Sequence, residues 1–136
     1  MSVLLFLAAT VVLLVISSFL HHRRLSSLAM ERGSSDLSTF VRSLDLGDAD
    51  AEIAREVFAH LQDYLEECQG QPFPVQADDS FRDHYRMDDE DLDDLYSEVA
   101  EKLGISTERP EGNPYFEKVE TVRDLVLFLN HQAKEL

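Results

Sequence analysis

Between Asp78 and Glu101 the chain carries 11 acidic residues against two arginines, a net charge of −9 over 24 positions. The densest part reads Asp88-Asp89-Glu90-Asp91-Leu92-Asp93-Asp94. Carboxylates packed this closely suggest cation binding, acid–base catalysis or recognition of a basic partner. A calcium loop opening at Asp89 would find Asp91 and Asp93 at its third and fifth positions. Its sixth residue would then be Asp94 where a glycine is required, and its twelfth Ala100 where a bidentate Glu is required. Catalysis lacks its companions: the chain has no Ser/Cys–His arrangement, no Gly-rich phosphate loop and no HExxH, and His60, His84 and His131 are scattered singly. The one cysteine, Cys68, can form neither an internal disulfide nor a structural zinc site. The expectation is therefore a non-enzyme with no cofactor and no metal. Electrostatic recognition remains, with Asp88, Asp89, Glu90, Asp91, Asp94 and Glu98 as the residues expected to meet a basic patch on a protein partner. A merely solvated acidic face explains the same run equally well. Nucleic acid is excluded as a partner, because a chain of formal net charge −15 presents no basic face to phosphates.

The elements that would position these acids read as helices. From Asp48 to Cys68 the apolar residues Ile53, Val57, Leu61, Leu65 and Cys68 recur every three or four positions, one face of an amphipathic helix with Asp48 or Asp50 as its cap. Cys68 ends that stripe and reads as a small core residue. Gly70, Pro72 and Pro74 open a loop. A second helix is expected from about Asp89 to Leu103, with Leu92, Leu95, Val99 and Leu103 inward and Gly104 as its stop. Residues 105–118 hold Pro110, Gly112 and Pro114 and read as loop, with Tyr115 and Phe116 as buried anchors. The last helix should start at Thr121, a cap with Asp124 three residues on, and bury Val122, Leu125, Val126 and Leu129. No period-two apolar run of strand length occurs. The fold class is all-α.

The N-terminal stretch is of another kind. Residues 3–20 carry no charge, and about 20 apolar residues span a bilayer core as a helix. Membrane contact is expected through residues 3–20. A cleaved signal peptide is the alternative, although Met1-Ser2 supplies no basic side chain before the apolar run and no convincing small-x-small cleavage site follows. His21, His22, Arg23 and Arg24 come next, and positive flanks stay cytoplasmic. The expected localisation is a single-pass membrane protein with its C-terminal domain in the cytoplasm. Residues 21–44 have a net charge of +2 and residues 45–136 a net of −17. The expected organisation is a transmembrane anchor at 1–22, a juxtamembrane linker at 23–47 and a helical domain at 48–136.

The segment from Ser80 to Asp91, SFRDHYRMDDED, resembles the acyl carrier protein signature, in which a loop Ser-Phe pair precedes an acidic-Asp-Leu-Gly step and then Asp-Ser-Leu-Asp at the start of helix two. The similarity runs without a gap to Leu103-Gly104-Ile105. It resumes at Thr121-Val122 and the apolar helix ending near Asn130, His131 and Gln132, so it covers residues 48–133. It implies a bundle of three main helices and a short one. It also implies that helix two faces basic patches on partner enzymes. The departure falls where the family does its chemistry. Asp89 occupies the position of the serine that carries 4'-phosphopantetheine, and a carboxylate has no hydroxyl to be esterified there. Arg86 replaces the glycine and Glu90 the following leucine. Capping of helix two is the simplest duty for Asp89, and a fixed charge imitating the family's phosphate is compatible with it. These readings converge on a membrane-tethered, acyl-carrier-like domain of bacterial type, acting as an acidic interaction module without phosphopantetheine. The alternative is a genuine acyl or peptidyl carrier in lipid or polyketide-type synthesis, loaded at another serine such as Ser80 or Ser97.

Overall fold

The computed structural model describes residues 2–33, 36–44, 51–69 and 72–134. Its helices are α1 (Ser2–Arg32), α2 (Leu37–Leu44), α3 (Ala51–Gln69), α4 (Asp89–Leu103) and α5 (Val122–Lys134), with a 3-10 turn at Pro110–Gly112. Among the described residues there is no strand, and one isolated antiparallel bridge joins Ser80 to Thr121. The chain is all-α. It divides into two units, Met1–Gly33 and Ser34–Leu136.

The first unit is the helix α1. At 1.5 Å per residue its 31 residues measure about 46 Å, more than the roughly 30 Å of a bilayer's hydrocarbon core. Its most apolar 18-residue window has a mean hydropathy of 2.8 and none of it is buried. The helix is long and apolar enough to cross a membrane. Thr10 Oγ1 donates to the Phe6 carbonyl at 2.9 Å, so this hydroxyl carries no unmet polar demand into an apolar setting. The helix continues through Arg32, across the first ten of the 25 residues expected as linker. It stops where Gly33 turns left-handed (φ +82°) and its amide returns to the Ala29 carbonyl.

In the second unit α3 is the hub, packing against α2, α4 and α5. The expected stripe is present: Val57, Leu61 and Leu65 are fully buried and Ile53 nearly so. The caps expected for α3, Asp48 and Asp50, and the side chain of Cys68 lie outside the described residues. Leu95 and Val99 of α4 and Val122, Leu125, Val126 and Leu129 of α5 complete the core. Burying an aliphatic side chain of this size is worth about 1.5–3 kcal/mol, so this face holds the bundle together. Gly104 ends α4 in the left-handed region, φ 67°, as its place in the sequence implies. Thr121 and Asp124 form a reciprocal cap on α5, with Thr121 N donating to Asp124 Oδ2 and Asp124 N to Thr121 Oγ1.

Three features depart from the sequence reading. The compact unit begins before residue 48, because Phe40 and Leu44 of α2 are buried and the Phe40 ring lies 5.2 Å from that of Phe58 on α3. Eight residues give too short a pattern to separate from a linker, yet they are amphipathic and find a partner. The loop between α3 and α4 is largely core: Phe73, Val75, Phe81, Tyr85 and Met87 are all buried, and Tyr85 meets both Phe73 and Phe81 edge-on. Gln62 holds the loop's entry by binding both the amide and the carbonyl of Phe73. Buried Asp79 holds its turn, accepting from Tyr85 Oη and from the Gln76 amide. In the loop between α4 and α5 the buried anchor is Asn113, which donates to the Phe128 carbonyl and to Gln132 Oε1. Tyr115 is half-buried and Phe116 is 37% exposed, so neither is the anchor expected of it.

Candidate partner-binding surface

Helix α4 carries the acids, and its N-terminus decides what each can do. Asp88 is the N-cap: its Oδ1 accepts from the Asp91 amide at 2.8 Å, and Asp91 Oδ2 accepts from the Asp88 amide at 3.3 Å. The capping box is thus made by Asp88 and Asp91. Asp89, expected to cap, sits one residue later. Its carboxylate is 92% exposed and reaches only Arg82, at 3.5 Å. A side chain at the first helical position projects outward, and the Asp91 amide that an N-cap serves is already taken by Asp88.

Apart from Glu101 near the C-terminal end, the remaining acids of α4 fall into two rows set by the helical spacing of four. Glu90, Asp94 and Glu98 form an outer row, all exposed, which spans about 12 Å along the axis. At its far end Glu98 Oε2 lies 3.9 Å from His60 Nε2 on α3, beside the Glu56–Lys102 ion pair at 3.1 Å. Asp89 and Asp93 form an inner row. Of the six acids expected to meet a partner, Asp89, Glu90, Asp94 and Glu98 present outward. Asp88 is exposed but committed to the cap, and Asp91 is half-buried and committed with it.

The inner row borders a groove that the sequence reading missed. A cavity of about 440 Å³ lies between α4, the loop at 110–119 and α5. Leu92 and Tyr96 from α4, Phe116 and Val119 from the loop, and Leu125 and Phe128 from α5 supply its apolar lining. Tyr96 and Phe128 meet edge-on at 5.2 Å. Burial pushes the Tyr96 phenol above its ordinary pKa, and the Gln132 side chain offsets part of that; Tyr96 Oη has no partner at full hydrogen-bond geometry. Asp89, Asp93 and Glu117 are the charged residues of the lining. Leu92 carried the only available signal. It stands at the start of the apolar stripe and is half-exposed, so the stripe outruns the core by one turn.

Left-handed backbone recurs around this end of the bundle. Arg86, Arg109 and Glu117 have φ of 53°, 52° and 59°, each a conformation that costs a side-chain-bearing residue free energy. Ser80, a serine considered for modification, is half-buried and its Oγ accepts from the Asp83 amide. Ser97 is exposed within α4, two turns past its start. Among the described residues no group of three or more His, Cys, Asp or Glu could hold a metal ion.

No family model, curated protein or solved structure matches this chain.

Proposed function

We propose that residues 34–136 form an acidic, non-catalytic protein-interaction module displayed from a membrane anchor. The observation that carries this reading is the disposition of α4: its N-terminus is capped internally by Asp88 and Asp91, so the carboxylates of Asp89, Glu90 and Asp94 are exposed without any capping duty. Charges held at that density on a rigid helix steer a basic partner to one face and select it over others. The acyl-carrier resemblance belongs to the same proposal. It is supported by the order of elements: a long helix, a long packed loop, a capped acidic helix and a capped last helix. In that frame the protein is carrier-shaped and not a carrier, because Asp89 has no hydroxyl to load. The helix α1 supplies the anchor, and Arg23 and Arg24 behind it favour a cytoplasmic domain.

The test uses the full-length chain. Incubation with coenzyme A and a broad-specificity phosphopantetheinyl transferase should leave its intact mass unchanged. Proteins crosslinked to it in membranes should be lost on Glu90→Lys with Asp94→Lys and retained on Glu66→Lys with Glu67→Lys, an equal charge change on exposed residues of α3. A gain in mass would overturn the non-carrier reading, and equal loss with both pairs would reduce the acidic face to net charge alone.

A further inference from the structure

We infer that the groove between α4 and α5 seats an apolar side chain of a basic protein segment, with Asp89, Asp93 and Glu117 gripping the Lys or Arg residues that flank it. The inference rests on the interaction-module reading and adds to it the place where the partner is held.

Shape gives the first argument. A 440 Å³ cavity lies within the range of sites that enclose a ligand group, and its lining of Leu92, Tyr96, Leu125 and Phe128 is apolar at the floor. Binding energy at protein interfaces concentrates in such pockets, filled by an aromatic or aliphatic anchor and ringed by polar contacts that exclude water. Phe116 stands at the rim, 37% exposed, as a wall that an incoming side chain would cover.

Charge gives the second and names the occupant. Every charged residue lining the groove is acidic, and the lining contains no Lys or Arg. An apolar ligand with an anionic head would bring like charge against three carboxylates. A neutral one would add nothing at Asp93 and Glu117, with Asp89 keeping its 3.5 Å contact to Arg82. A cationic one gives Asp93 and Glu117 an opposite charge and adds to the contact of Asp89, and at exposed carboxylates such pairs act mainly through steering and selection of the partner. The outer row of Glu90, Asp94 and Glu98 runs on about 12 Å along the same helix, too long for one small cation and suited to a segment bearing several basic residues. Apolar anchor and flanking positive charge together describe a protein segment, not a lipid chain or a nucleic acid.

The test exploits the absence of tryptophan from this chain. The full-length protein in phosphatidylcholine nanodiscs is titrated into three synthetic peptides, each with one Trp: an amphipathic Lys/Leu peptide, an oligolysine of equal charge, and the first peptide with Gln for Lys. Empty nanodiscs give the background. The Lys/Leu peptide should bind with blue-shifted Trp emission. Phe116→Ala, which removes the wall, and Val119→Phe, which fills the groove, should each weaken it about tenfold and leave oligolysine binding unchanged. Tyrosine near-UV circular dichroism of each variant confirms that the bundle is intact. Unchanged affinity for the Lys/Leu peptide in both variants overturns the groove as the seat. The module reading survives that result if Glu90→Lys with Asp94→Lys abolishes oligolysine binding, and falls with it if the unaltered chain binds neither cationic peptide. Equal binding of the Gln peptide overturns the basic occupant in favour of a purely apolar one.

Discussion

Asp88 and Asp89 are adjacent aspartates at one helix start, and the structure assigns them opposite duties. Asp88→Ala removes the 2.8 Å bond and leaves the Asp91 amide without its side-chain acceptor, while the backbone amide of residue 88 still donates to Asp91 Oδ2. Loss of an N-cap costs about 1 kcal/mol, and removing a charge from the positive end of the helix dipole about 0.5 kcal/mol more at low salt. The sum is about 1.5 kcal/mol. Asp89→Ala removes a 92% exposed carboxylate with a single 3.5 Å contact, so its cost should stay within about 0.5 kcal/mol. For a domain of this size 1 kcal/mol moves the melting temperature by roughly 4–8 °C. Asp88→Ala should therefore lower Tm by roughly 6–12 °C and Asp89→Ala by less than about 4 °C. Asp88→Asn, which keeps the acceptor and loses the charge, should recover most of the difference. Tyrosine near-UV circular dichroism in detergent is a clean readout, since all four tyrosines lie in the second unit and α1 contributes none. Equal effects of the two alanine variants, or a larger effect at Asp89, would mean that Asp89 caps α4 and is not free to meet a partner.

Arg123 ties the ends of the second unit together, donating to the Leu44 carbonyl at 2.6 Å and the Ser43 carbonyl at 3.0 Å as well as to Asp78. Arg123→Met should cost about 2–3 kcal/mol in the same melting assay, with Asp78→Ala nearly silent because Asp78 is 81% exposed. Glu117→Gly should raise Tm by a few degrees, since glycine relieves a left-handed residue of about 1 kcal/mol of strain, less the entropy it adds to the unfolded chain. The Ser38 hydroxyl and then the Ser38 amide hold the Asp36 carboxyl below its ordinary pKa. A depressed folded-state pKa stabilises above the usual aspartate value of about 3.9 and is lost as pH falls through the folded value. The Ser38 amide resonance should accordingly keep its hydrogen-bonded shift at pH 5 and move on acidification below about 3.9, a change Asp36→Ala would abolish.

Where local chemistry and tertiary packing agree, the chain could be read directly. The stripes of α3 and α5, the Thr121 cap and the Gly104 stop follow from spacing and backbone preference, and α1 from its uninterrupted apolar run. Phe40 and Leu44 could not be read as core because an eight-residue amphipathic turn is stabilised only by what it packs against. Phe73, Phe81 and Tyr85 obey no period, since a loop buries side chains wherever its path brings them inward. Apolar character points to Tyr115 and Phe116 as anchors, whereas the loop is fixed by Asn113, whose amide reaches the Phe128 carbonyl and Gln132. The acidic helix was legible as acidic. Its division into cap, outer row and groove row depends on which of two neighbouring aspartates starts the helix, and on a cavity built by a loop some 20 residues downstream.

The Arg123 contact has a consequence for synthesis. Its acceptors lie 79 and 80 residues earlier in the chain, and the amides of Val122 and Arg123 bind the Asp79 and Ala77 carbonyls of the packed loop. None of these bonds can close until residues 122 and 123 respectively have been made. At about 5–20 residues per second, roughly 4–16 seconds separate Leu44 from Arg123 at the ribosome. Through that interval the residues of α1 are all present, while the bundle behind them lacks its last helix and the bonds that close it. An incomplete chain would thus carry the apolar helix and the acidic segment before the groove between α4 and α5 has formed.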